Sequence, residues 1–148
     1  MTATADRFIE TSTGAYLSSG GTWTNSSDST RKTGFQDVDG ESVLAKLAVM
    51  PIRTWQYRAE DSSVRHIGPT AQDFRAAYGL GDTEKAIATV DADGIALAAV
   101  QALEKRTREQ AKTIAELQDA RREIQDLRLA LDALRAQMEQ LATRGSSR

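Results

Sequence analysis

The most regular hydrophobic pattern lies toward the end of the chain. Leu117, Ala120, Ile124, Leu127, Leu131, Leu134, Met138 and Leu141 recur at alternating steps of three and four, the spacing of a coiled-coil seam. Upstream the seam continues as Val100, Leu103, Thr107, Gln110, Ile114 and Leu117. The two registers join through Ile114, Leu117 and Ala120, two steps of three in succession, a stammer that overwinds a supercoil locally. Thr107 and Gln110 are polar seam positions, which weaken that segment and help to fix its register. From Ile95 to Arg144 there is neither Gly nor Pro, so the pattern predicts one helix over residues 95–144. At 1.5 Å per residue it would run for roughly 75 Å. A domain this small offers no surface to cover such a helix, and the seam predicts partner chains.

The patterns before residue 95 are shorter. Residues 11–30, TSTGAYLSSGGTWTNSSDST, are dominated by side chains that compete with helical hydrogen bonds, and predict a β-prone leader. Asp39 is placed to cap a short helix carrying Val43, Leu44 and Leu47, which Pro51 ends. Residues 52–58, IRTWQYR, alternate in period two with Arg53, Trp55 and Tyr57 on one face, and residues 64–67 are a second extended candidate able to pair with them. Residues 71–78 return to helical spacing, with Gly79 placed as a C-cap. The predicted fold is α+β: a β-prone leader over 1–26, a mixed core over 27–94, a long helix over 95–144 and a tail over 145–148.

Composition narrows the function. Aromatics are 5% and charged residues 27% of the 148, a balance suited to a helical interaction protein with a small core. The net charge of −2 leaves no basic surplus for a phosphate backbone, and no basic block precedes the seam as in a leucine-zipper DNA binder. Nucleic acid is therefore not an expected partner. No apolar run approaches the ~18 residues of a membrane span, and the first residues carry no signal-peptide pattern. There are no cysteines and one histidine, His66, which removes thiolate chemistry, a His-based metal cluster and a Ser-His-Asp triad. His66 is read as structural. Asp91 and Asp93 before Gly94 lack the spaced ligands and closing Glu of a calcium loop, and Asp93 is expected to cap the long helix. Trp23, Trp55 and Tyr57 are assigned to the core. No metal or cofactor is expected.

One stretch carries candidate chemistry. From Gly20 the chain reads GGTWTNSSDSTRK, and here it resembles the peptidase S74, or endosialidase-type, family of C-terminal intramolecular chaperones. The resemblance rests on Gly20, Gly21 and Trp23, the pair Ser27 and Asp28, and Lys32 five residues after the serine. It continues through Leu47, Pro51, Trp55 to Tyr57, Gly68 to Asp73 and Val90 to Leu103, covering roughly residues 14–117. A Ser and a Lys five apart are common in any Ser-rich loop; the order of all the pieces is what is specific.

The resemblance implies a Ser-Lys dyad that cuts its own chain between Ser26 and Ser27. Ser27 would attack the carbonyl of Ser26 with Lys32 as general base, and Asp28 would orient the loop or accept a hydrogen bond. A lysine acts as base only when neutral. Moving one from its reference value of about 10.4 to near 7 disfavours the charged form by about 4 kcal/mol, which burial can supply. Arg31 stands before Lys32 where the family usually has an apolar residue, and a neighbouring cation favours a neutral lysine if both are buried. The resemblance also implies a parallel homotrimer, an upstream β-structured passenger in the same polypeptide, and a place on a phage tail spike, tail fibre or bacterial surface protein. With 26 residues before Ser27, the chain is expected to be a piece or remnant of such a polypeptide. A trimerisation cap that never cuts is the alternative.

Overall fold

The structure, a computed structural model, describes residues 6–145. Three short antiparallel strands open it: β1 (Arg7–Glu10), β2 (Tyr16–Ser18) and β3 (Trp23–Thr24), in the order β1-β2-β3. Tyr16 pairs with Glu10 on one side and Thr24 on the other, and a bulge interrupts the ladder between Arg7 and Ile9. The β1–β2 turn closes through the Thr11 amide on the Ala15 carbonyl at 2.8 Å. It needs Gly14, whose φ of +82° is costly for a residue with a Cβ. The β-prone leader is thus a small meander that ends directly before Asn25.

Asp39 starts α1 (Gly40–Val49), its carboxylate accepting from the Glu41 and Ser42 amides. The helix stops at Met50 because Pro51 pushes the preceding residue out of helical geometry. The two extended candidates do pair: β4 (Arg53–Trp55) lies antiparallel to β5 (His66–Gly68), with Trp55 opposite His66. Thr70 then caps α2 (Ala71–Tyr78) by accepting from the Asp73 amide, and Gly79 closes it in the left-handed conformation. Val43 of α1, Met50 and Phe74 of α2 are buried, and the Tyr78 hydroxyl donates to the Val43 carbonyl at 3.3 Å.

Two expectations are corrected. Tyr57 is 58% and Trp23 47% exposed, so neither belongs to the core, and Trp55 is half-buried. The β4–β5 ribbon is only three residues long on each side and its aromatics stack on one another. Trp55 lies 4.9 Å from Tyr57 and 4.8 Å from His66 between ring centroids. His66 also meets Glu60 at 2.9 Å, which agrees with a structural role. Beneath Pro69, an apolar cleft of about 210 Å³ is lined by Leu47, Met50, Ile52, Phe74, Ile87 and Ile95 among others. Helix faces, not the ribbon aromatics, form the apolar interior.

The long helix, α3, spans Thr89–Gly145, beginning six residues before the expected start. Asp93 therefore lies inside the helix and does not cap it. The Asp91 and Ala92 amides both donate to the Ala88 carbonyl, and Asp91 in the first turn complements the helix dipole. Gly94 is carried within the helix at about 1 kcal/mol relative to alanine. The chain divides into two compact units at Val100. In the second, all eight seam residues from Leu117 to Leu141 are exposed, Leu127 at 62% and Leu134 at 54%. Among the described residues no helix is long and apolar enough to cross a membrane.

Candidate functional site

The segment between the meander and α1 folds around a single turn. Asp28 caps a 3-10 turn over Ser29–Arg31, its carboxylate accepting from the Thr30 amide at 2.8 Å and the Thr30 hydroxyl at 2.9 Å. These two bonds hold the Asp28 carboxyl below its ordinary range, the amide contributing most. The Arg31 and Lys32 amides continue the turn on the Asp28 and Ser29 carbonyls. With the backbone reversed in this way, the long side chain of Lys32 folds back over the turn. Its Nζ meets Ser27 Oγ at 2.6 Å.

That contact joins the two residues that the family resemblance implies as a dyad. As an ammonium, Lys32 donates to the Ser27 oxygen. As a neutral amine it accepts from the hydroxyl, so the same geometry serves proton abstraction without rearrangement. Both residues are exposed in the single chain, so any desolvation of the pair must come from outside it. Asp28 is near in sequence but turned to Thr30, and its place is in the turn's framework.

Four further side chains hold the loop, those of Arg31, Trp23, Asn25 and Thr89, and the sequence singles out two of them, Arg31 and Trp23. Arg31 Nη1 donates to the Thr13 carbonyl at 2.6 Å and to Ser26 Oγ at 3.2 Å, tying the residue before Ser27 to the β1–β2 turn. Its cation is engaged there, while Lys32 reaches Ser27. Trp23 Nε1 donates to Asn25 Oδ1, and Asn25 Nδ2 donates to Thr89 Oγ1, both at 3.1 Å. The loop is thus anchored to the first residue of α3. Asn25 and Thr89 are 64 residues apart, and nothing in their local sequence announces the pairing.

Residues 27–80 match the family model described as chaperone of endosialidase, peptidase S74. Over those residues the chain is similar to the S74 chaperone family. The matched segment opens at Ser27 and closes one residue after Gly79, so it holds the dyad loop, α1, the β4–β5 ribbon and α2. Gly20, Gly21 and Trp23, and Val90 to Leu103, which entered the sequence resemblance, lie outside it. No curated protein and no solved structure matches the chain. The matched segment is mixed α and β, preceded by the antiparallel meander and followed by α3.

Proposed function

We propose that this chain is an intramolecular chaperone that trimerises through α3, assists folding of a β-structured passenger upstream in the same polypeptide, and releases itself by cutting between Ser26 and Ser27. The observation that carries the cleavage is the 2.6 Å contact of Lys32 Nζ with Ser27 Oγ, inside a segment that matches a family named for both a peptidase and a chaperone. The chaperone part follows from the physics of the passenger. Intertwined β-structure has high contact order and folds slowly, and holding three chains together raises their local concentration and lowers the entropy to be overcome. A phage tail spike, tail fibre or bacterial surface protein is the setting this reading implies.

Neutral Lys32 takes the proton from Ser27 Oγ as the oxygen attacks the Ser26 carbonyl carbon. The tetrahedral centre then expels the Ser27 nitrogen, which receives that proton from Lys32. An ester remains between the Ser26 carbonyl and Ser27 Oγ, with a free Ser27 amine. Water hydrolyses it to a Ser26 carboxylate and restores the Ser27 hydroxyl. Neighbouring copies packing over the exposed dyad would supply the desolvation that neutralises the lysine, which times the cut to follow assembly.

The exposure of Ser27 and Lys32 in the single chain is the one observation favouring the alternative, a cap that trimerises and stays attached. Intact mass after assembly separates the two: fragments 1–26 and 27–148 support release, and an unchanged mass in a stable trimer supports the cap.

A further inference from the structure

The bond proposed to break has an anchor on each side. On its amine side the 3-10 turn brings Lys32 Nζ to Ser27 Oγ at 2.6 Å. On its acyl side the residue before Ser26 is Asn25, whose side chain bridges two separate parts of the fold. An indole N–H only donates, so Trp23 Nε1 meets the Asn25 oxygen, at 3.1 Å, and the amide nitrogen is thereby turned to Thr89 Oγ1, also at 3.1 Å. Asparagine suits this place because its short planar group carries an acceptor and a donor side by side. Trp23 belongs to β3 and Thr89 opens α3, so the bridge fixes the segment entering the cut between the meander and the long helix.

The chemistry makes that side demanding. The nucleophile and the carbonyl it attacks belong to adjacent residues, so attack closes a small ring through Ser27 Oγ, Cβ, Cα and N and the Ser26 carbonyl carbon. Rotation about the Ser27 Cα–Cβ bond aims the oxygen, and the contact with Lys32 sets that rotation. The face that the carbonyl presents depends on the backbone torsions leading into Ser26, which the Lys32 contact leaves open. We infer that Asn25 and Thr89 are positioning residues for the cut: their hydrogen bond holds the acyl side of the Ser26–Ser27 bond to the start of α3, with the carbonyl turned to the oxygen that Lys32 deprotonates. This rests on the cleavage reading above and adds the residues that aim the carbonyl. They act through the backbone of Ser26, not on the reacting atoms.

Both hydrogen bonds of Asn25 are exposed, where water competes and a bond adds little to stability. Their loss should leave the fold standing while widening the range of carbonyl orientations, and a misaligned reacting pair loses rate steeply. Arg31 separately restrains Ser26 through its Oγ at 3.2 Å, so part of the alignment survives without Asn25. Slower cleavage, not its abolition, is the expected mark of the pair.

Cleavage of the full assembled chain, followed by intact mass across a range of pH, tests the assignment. Thr89→Val keeps the shape of the side chain but removes its hydroxyl, and should cut on the order of tenfold more slowly than wild type. Thr89→Ser restores the hydroxyl and should recover most of the rate. Asn25→Ala should be slowed at least as much as Thr89→Val, and combining the two should cost no more than Asn25→Ala alone, since both remove one interaction. In each variant the pH at which the rate rises should match wild type, because Lys32 is untouched and only alignment is lost. Thr89→Val cutting at the wild-type rate, Thr89→Ser as slow as Thr89→Val, or losses that multiply in the double variant would overturn the assignment. The anchor itself is read without cleavage in Ser27→Ala, which cannot cut. There the Asn25 side-chain amide resonance should move on adding Thr89→Val and hold with Thr89→Ser. An Asn25 resonance indifferent to Thr89→Val would remove the anchor, whereas a wild-type assembly that stays whole would remove the cleavage reading and the positioning role with it.

Discussion

The guanidinium of Arg31 donates to the carbonyl of Thr13 at 2.6 Å and, with the same nitrogen, to the hydroxyl of Ser26. The turn between β1 and β2 is thereby fastened to the residue on the acyl side of the proposed cut. A Cβ at Gly14 would lie 2.9 Å from that nitrogen, at a φ of +82° that disfavours any side chain. Gly14→Ala should loosen the fastening and cost about 1 kcal/mol locally. Cleavage followed by intact mass should slow in Gly14→Ala and in Arg31→Ala, with sedimentation showing assembly unchanged. Equal cleavage rates in both variants and wild type would make the contact incidental.

The pH dependence distinguishes Lys32 from Asp28. Hydrogen bonds from Thr30 hold the Asp28 carboxyl below the ordinary value of 3.8. The stabilisation it gives the turn is therefore complete above that value and is lost only as pH falls through the lowered one. Between pH 5 and 9 Asp28 stays ionised and the turn stays capped. A cleavage rate that rises with pH across this window, measured on assembled protein, then reports loss of the proton from Lys32. A flat profile would argue against a lysine base.

Stability should follow the helix faces and not the ribbon aromatics. Phe74 is 4% exposed, and Phe74→Ala should destabilise the fold by roughly 3–5 kcal/mol. Tyr57→Ala removes a ring that is more than half exposed and should cost about 1 kcal/mol, chiefly its contact with Trp55. Urea unfolding monitored by circular dichroism would rank the two. The reverse order would restore the aromatics to the core.

Local chemistry was legible from the sequence wherever it acts over a few residues. Asp39 and Gly79 bound their helices as capping rules require, and Pro51 follows the Met50 cap that ends α1. The five-residue spacing of Ser27 and Lys32 became a contact because a 3-10 turn lies between them. Contacts across long separations were not legible: Asn25 with Thr89, Arg31 with Thr13. Trp55 and Tyr57 carried a clean two-residue alternation, but alternation marks a strand face without saying what covers it. The start of α3 was misplaced because Gly94 reads as a boundary, whereas the helix runs through it.

The seam should control assembly more than any other feature. Leu127→Asp would place a carboxylate in a desolvated stripe, and that chain should sediment as a monomer at micromolar concentration while keeping its helical signal. Its dyad residues are untouched, so under the proposed function it should also remain uncut. A monomeric Leu127→Asp chain that cleaves at the wild-type rate would show that the dyad needs no partner chains.

The most direct measurement is the intact mass of assembled wild type beside Ser27→Ala, Lys32→Ala and Lys32→Arg. The account predicts that wild type separates into residues 1–26 and 27–148 and that all three variants keep the full mass while still assembling. Lys32→Arg is included because a guanidinium keeps its proton at any working pH and cannot act as the base. Cleavage at the same bond in Ser27→Ala, or a wild-type assembly whose mass never changes, would contradict the dyad and leave the permanently attached cap.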